Sequence, residues 1–300
     1  MKRDVSGFLL IFTSRITPLC PKPQLLQQMT SNAWPQNVPT ACATHQSQGL
    51  GDVEVAVSLS SPSVAFHSST SQLTRRPNRL QDIAALRNHF FALRHGQSEA
   101  NVANIIASNP DIACHRYGLS PIGKKQASKA GQDVLDTYRI QAINGRAFKG
   151  ICVISSDLLR AKETAEAVRI AILGSIQDAS GDPICLYTGQ VVLDTRLRER
   201  RFGEWDLTSD TNYNIVWEED AVNPFHETNG VEAVCSVMDR VTQCVLEWDG
   251  RLNDHMIVCV AHGDVLQILQ TCFSKLDGSE HRTLDHLETA TLRQLELKMK

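Results

Sequence analysis

Two arginines, two histidines and one glutamate recur along this 300-residue chain in settings that suit one kind of chemistry. Arg94-His95-Gly96 sets a guanidinium beside an imidazole where an apolar run, His89-Phe90-Phe91-Ala92-Leu93, gives way to polar, helix-like residues from Glu99. Arg160 comes one helical turn after Ser155-Ser156-Asp157, which itself ends the apolar run Ile151–Ile154. His262-Gly263 ends a third such run, His255–Ala261. Planar guanidinium forks match phosphate oxygens, and charge-assisted hydrogen bonds are about twice as strong as neutral ones. Together these groups would make a pocket for a doubly charged anion. Chemistry on such an anion also needs a proton donor, and Glu199, in Arg196-Leu197-Arg198-Glu199-Arg200-Arg201-Phe202-Gly203, lies just past another strand end.

Each residue also has a plainer reading. Arg-His-Gly is a short motif that arises by chance, Arg160 could be a solvated helix residue near Glu163 and Glu166, and His262 a satisfied core histidine. Glu204 or Asp206 could take the acid's place. Ser98 could simply cap a helix. Arg198, Arg200 and Arg201 read as solvated arginines, and Asp133–Asp136, Glu218-Glu219-Asp220 and His226 as ordinary surface.

The elements that would position these groups alternate between strand and helix. Strands are expected at Asn88–Leu93, Ile151–Ile154, Gln190–Leu193, His255–Ala261 and Thr291–Leu297. Helices are expected at Gly123–Arg139, opened by Ser120-Pro121, at Leu158–Ile172, capped by Ser155-Ser156-Asp157, and at Val231–Trp248 and Asp264–Phe273. This alternation predicts an α/β fold, a three-layer α/β/α sandwich on a mainly parallel sheet. Parallel strands end on one side of a sheet, so Arg94, His95, Arg160 and His262 can converge there.

On these motifs the chain resembles the histidine phosphatase superfamily, the phosphoglycerate mutase-like fold of branch 1 type. The similarity is carried by Arg94-His95-Gly96 with Ser98 and Asn101, Ser155-Ser156-Asp157-Leu158-Leu159-Arg160-Ala161 with Thr164-Ala165, Leu197-x-Glu199-Arg200-x-Phe202-Gly203, and Val260-Ala261-His262-Gly263. They occur in the family's order across roughly residues 88–297. The resemblance implies that neutral His95 forms a phosphohistidine while a backbone carbonyl holds its other nitrogen. Arg94, Arg160 and His262 would neutralise the phosphoryl oxygens, assisted by Asn101 and by backbone N–H groups near Gly96 or Gly263. Glu199 would serve as general acid and then general base, and no metal or cofactor would be required.

The resemblance also bears on reaction type. Mutases of the family carry a longer insertion after the glutamate motif, whereas here only Glu204 to Asn229 separate Gly203 from Gly230. The short cap points to a phosphatase hydrolysing phosphomonoesters, of a small metabolite or a phosphoprotein. A mutase-type phosphotransferase and a non-catalytic phosphate-recognising module are the alternatives. Loops 104–118 and 207–229 would set specificity, with Trp205, Tyr213, Trp217 and Phe225 either lining an organic pocket or packing the cap onto the core.

Composition excludes several other classes. A formal net charge of −3 gives no general attraction to nucleic acid or anionic membrane. Nine scattered cysteines, odd in number and without a Cys-x-x-Cys pair, argue against a zinc site or a disulfide scaffold. No segment approaches the ~20 apolar residues of a membrane span. Residues 1–82 form a separate segment, rich in Ser, Thr, Gln and Pro, in which up to residue 79 basic side chains outnumber acidic ones seven to three. That composition fits a disordered tail or an organelle transit peptide, and hence a cytoplasmic, plastid or mitochondrial location. Gly51–Leu59 is a weak strand candidate, and the domain is expected from 83 to 300.

Overall fold

The computed structural model describes residues 77–175 and 184–299, which lie in the compact unit of residues 69–300. Residues 1–76 of the expected tail or targeting segment, with the strand candidate Gly51–Leu59, lie outside the described residues. Five strands form the sheet: β1 (His89–Arg94), β2 (Gly150–Ser155), β3 (Val192–Leu193), β4 (His255–Ala261) and β5 (Leu292–Leu295), in the order β3-β2-β4-β1-β5. The β1, β2, β3 and β4 strands run parallel, and β5 closes the β1 edge antiparallel.

The near-continuous apolar character of β1, β2 and β4 follows from burial on both faces. Phe90, Ala92, Cys152, Ile154, Ile257 and Cys259 face α6 (Val234–Arg251) and α7 (Gly263–Phe273). Their alternates Phe91, Leu93, Ile151, Val153 and Val258 face α3 (Pro121–Ile143) and α4 (Leu159–Gly174). This is the expected three-layer α/β/α sandwich. In α6 the buried residues Val234, Val237, Met238, Val241, Cys244, Val245 and Trp248 recur at helical spacing, so one stripe packs on the sheet. Residues 77–82, ahead of residue 83, also pack on this unit: Leu80 is fully buried and Arg79 pairs with Asp239 at 2.7 Å.

Several local expectations are corrected. Ser155-Ser156-Asp157 does not cap α4: the helix starts at Leu159, and Leu158 at the cap position makes no side-chain bond. The three side chains are engaged elsewhere, Ser155 with the Ser156 carbonyl, Ser156 with His262 and Asp157 with Arg198. The expected strand at 190–193 pairs only at Val192 and Leu193. The loops carry short helices, α1 (Glu99–Val102), α2 (Pro110–Ala113) and the cap helix α5 (Tyr213–Val222).

The largest correction concerns charge. Arg200, expected to be solvated, is fully buried, and so is Asp220, expected at the surface. Arg200 grips Asp220 through both terminal nitrogens at 2.6 and 2.7 Å, reaches Asp264 at 3.2 Å and donates to the Glu232 carbonyl at 2.6 Å. His226, also buried, bonds Asp220 at 2.7 Å. This network ties α5 to the glutamate loop and to the start of α7. Removing one partner of a buried pair strands the other charge, which costs about 3–5 kcal/mol. Asp220→Ala is therefore expected to lower denaturant-unfolding stability by about that amount, while Lys129→Ala, which breaks an exposed pair with Asp133, leaves the midpoint nearly unmoved. A loss below about 1 kcal/mol for Asp220→Ala would contradict the assignment.

Candidate active site

The register of the parallel strands decides where the polar residues go. Arg94 at the end of β1 aligns with Ala261 at the end of β4, and Ser155 at the end of β2 aligns with Val260. The next residues, His95, Ser156 and His262, therefore leave the sheet together at its carboxyl edge. The His95 and His262 rings lie 5.1 Å apart, centroid to centroid. Gly96 is required at the first turn, since a Cβ there would sit 2.5 Å from the Gly123 carbonyl oxygen at the start of α3.

His95 is buried, and its Nδ1 lies 2.7 Å from the Gly96 carbonyl oxygen. A carbonyl only accepts, so the proton sits on Nδ1 and the Nε2 lone pair is free of it. Arg160 Nε donates to that Nε2 at 3.1 Å, and Arg160 Nη2 donates to the Ala107 carbonyl at 2.9 Å. Burial lowers the His95 pKa well below the ordinary histidine value, and the Arg160 and Arg94 charges push the same way. His262 is likewise held neutral by burial and by Arg160. Its Nε2 lies 2.8 Å from Ser156 Oγ, which accepts from the Leu158 N–H at 3.2 Å and so has its own proton free for His262.

Four buried nitrogens of this cluster have no hydrogen-bond partner: Arg94 Nε, Arg160 Nη1, His262 Nδ1 and His286 Nδ1. Neither Arg94 nor Arg160 has a carboxylate within 4 Å among the described residues. Buried charges are normally paired, so this is a cationic site able to receive an anion. Glu163 and Glu166, the acids near Arg160 in sequence, are engaged elsewhere, with the Leu119 N–H and with Arg169.

Glu199 is buried, and its Oε1 accepts from the Arg200 and Val265 backbone N–H groups at 2.9 and 3.2 Å. Burial and the nearby Asp264 charge raise its pKa, against the pull of Arg160. Asp264 is shifted the other way by His281, Arg200 and Arg282, which overcome its burial and keep it ionised. Asp206, a rival for the acid's position, is occupied by the Ser108 hydroxyl and the Ser108 and Asn109 N–H groups.

These groups line a cavity of about 360 Å³, bounded by Arg94, His95, Asn101, Arg160, Glu199 and Gly263. His262, whose ring packs against that of His95, is fully buried and is not among the residues lining the cavity. Asn101 reaches the wall, although its Oδ1 is held by Ser98 in a capping box. Sequence reasoning missed Asp264 and His286, which also line the cavity. Of the four cap aromatics, Tyr213 and Trp217 line it, stacked 5.3 Å apart; Trp205 packs against the small cluster of Ile106, Phe202 and Val231, and Phe225 is exposed.

With this geometry established, known proteins supply the family. Residues 90–300 match the histidine phosphatase superfamily (branch 1). Glucosyl-3-phosphoglycerate phosphatase of Mycolicibacterium vanbaalenii is 27% identical over 217 residues, covering 68% of this chain and 81% of that protein. The enzyme of that name from Mycobacterium tuberculosis is 28% identical over 216 residues, covering 68% and 82%. Among solved structures, mycobacterial glucosyl-3-phosphoglycerate phosphatase in complex with VO3 is similar at a TM-score of 0.53 and 26% identity, covering 70% of this chain and 92% of that one. A match over most of the chain, on a sheet whose carboxyl edge gathers the motif residues, places this protein in the histidine phosphatase superfamily, branch 1.

Proposed function

We propose that the chain hydrolyses phosphomonoesters through a phosphohistidine on His95. The observation that carries this reading is the His95 tautomer: Nδ1–H is tied to the Gly96 carbonyl, and an unprotonated Nε2 faces Arg160 inside a cationic cavity. The Nε2 lone pair forms a bond to phosphorus as the bond to the leaving oxygen breaks. Arg160 transfers its N–H groups from His95 and open space to the phosphoryl oxygens, joined by Arg94 and His262. Glu199, with its raised pKa, gives its proton to the leaving oxygen. As a carboxylate it then takes a proton from water, whose oxygen attacks phosphorus while the P–N bond breaks, and phosphate and neutral His95 are released.

The substrate class that fits is a small phosphorylated metabolite. The cavity volume of about 360 Å³ lies in the range of small-ligand pockets, and the relatives named above act on glucosyl-3-phosphoglycerate. Asn101, Gly263 and the Tyr213–Trp217 stack would contact the phosphoryl group or the part of the substrate beyond it.

Release of phosphate from p-nitrophenyl phosphate, sugar phosphates and phosphoglycerates, measured with a chelator present, is expected for the native chain and abolished by His95→Ala. Arg160→Ala is expected to cost about 10²–10³ in kcat and Glu199→Gln about 10²–10⁴. Activity surviving in His95→Ala would remove the nucleophile from the account, and phosphoglycerate isomerisation outrunning hydrolysis would favour the phosphotransferase. Long-range ¹H–¹⁵N spectra at pH 6.5 are a separate check on the lowered pKa of His95. They should show a neutral ring with its proton on Nδ1, and an imidazolium there would contradict the proposed resting state.

A further inference from the structure

Arg94 is held in an unusual way for a half-buried arginine whose Nε is buried. Its Nη1 donates to His286 Nε2 at 2.7 Å and to the Leu287 carbonyl at 3.0 Å, and its remaining nitrogens find no protein carboxylate among the described residues. Its guanidinium atoms also lie 3.4–3.5 Å from where a Cβ at Gly263 would be, so it is flanked closely on that side. Arginine has no acceptor atom, so in the contact with His286 it must be the donor and Nε2 the acceptor. His286 is therefore neutral, with its proton on Nδ1, and that nitrogen is buried without a partner in a residue that lines the cavity.

We infer that His286 is a positioning residue, whose neutral Nε2 orients Arg94 toward the phosphoryl group without cancelling its charge. A carboxylate in the same place would also orient the arginine, but it would neutralise it and weaken its pull on a dianion. An imidazole and a carbonyl supply direction alone. The segment that presents them is built for the purpose. Arg293 on β5 donates to the carbonyls of Asp285 and His286 at 2.7 and 3.1 Å, and is itself fixed by Gln270 on α7 at 2.5 Å. Leu287 is fully buried, and the Ala290 N–H bonds the Arg94 carbonyl at 3.0 Å, so the loop and the arginine share one anchor. The environment keeps the ring neutral: burial, Arg94 and Arg282 lower its pKa, against Glu288 and Asp264.

This inference rests on the phosphate-handling reading of the cavity, and the test separates the two. Wild type, His286→Leu, His286→Gln, Arg94→Ala and the Arg94→Ala/His286→Leu double variant are compared by kcat/KM for p-nitrophenyl phosphate and by the affinity of inorganic phosphate in titration calorimetry. Leucine keeps bulk without an acceptor, whereas the glutamine amide can place an oxygen near the Nε2 position. His286→Leu is expected to lose roughly 10- to 100-fold in kcat/KM, the range for a hydrogen bond to a charged group, and His286→Gln to recover to within about threefold of wild type. In the Arg94→Ala background the leucine change should add less than about twofold, because its effect passes through Arg94. Leucine and glutamine variants that are equally impaired, or an equal cost of His286→Leu with and without Arg94, would overturn the inference. If His286→Leu fails to fold, His286→Asn, whose amide overlies Nδ1 instead of Nε2, takes its place with the same expected loss. A wild-type chain without turnover would refute the hydrolase reading alone, since the phosphate affinities would still order the variants.

Discussion

Two guanidiniums without carboxylate partners, Arg160 buried and Arg94 half-buried, are the constraint around which this molecule is arranged. Burying an unpaired charge is expensive, and proteins ordinarily pair it or leave it at the surface. Here Arg94 and Arg160 are satisfied instead by neutral acceptors: backbone carbonyls at Leu287 and Ala107, and the imidazoles His286 and His95. Their positive charge is thereby kept for an incoming anion. The same uncompensated charge, added to burial, keeps His95 and His262 neutral. In the proposed chemistry a phosphate-sized dianion would relieve the whole cluster at once.

Carboxylates are sorted by position. Several are committed to cations: Asp220 to Arg200, Asp157 to Arg198, and Asp264, on the cavity wall, to Arg200 with His281 and Arg282 close by. Glu199, by contrast, faces the cavity and receives only two backbone N–H groups, so burial and Asp264 raise its pKa while Asp264 itself stays ionised. Two nearby acids in different surroundings thus have their pKa values pushed in opposite directions, the separation that an acid–base assignment rests on. The Arg200 network also holds the cap helix in place. Through it Tyr213 and Trp217 form one wall of the cavity, with the Arg282 guanidinium 3.7 Å from the Trp217 ring and Trp217 Nε1 bonded to Asp264.

The sheet and its polar edge were legible in the sequence because their signals are local. Strand β4 runs from His255 to Ala261 as expected, and an apolar run ending in a polar pair is visible in a window of ten residues. Partners far along the chain leave no such trace. Arg200 lies 20 residues from Asp220 and 64 from Asp264, so each looked like one more charge in a solvated run. His286 sits in a stretch without periodicity or motif, and its meaning depends on an arginine 192 residues away. Ser155-Ser156-Asp157 misled in the opposite direction: the residue types suit a helix cap, but tertiary partners had a stronger claim on them.

The covalent intermediate is the most direct test of the account. The native chain would be mixed with p-nitrophenyl phosphate, quenched within milliseconds in alkali, where a phosphohistidine survives, and digested for mass spectrometry. The account predicts one phosphoryl group on the peptide bearing His95, attached at Nε2 and labile to acid, and none at that peptide in His95→Ala. Phosphate on a serine or on another histidine, or turnover with no phosphoenzyme under conditions where it should accumulate, would contradict it.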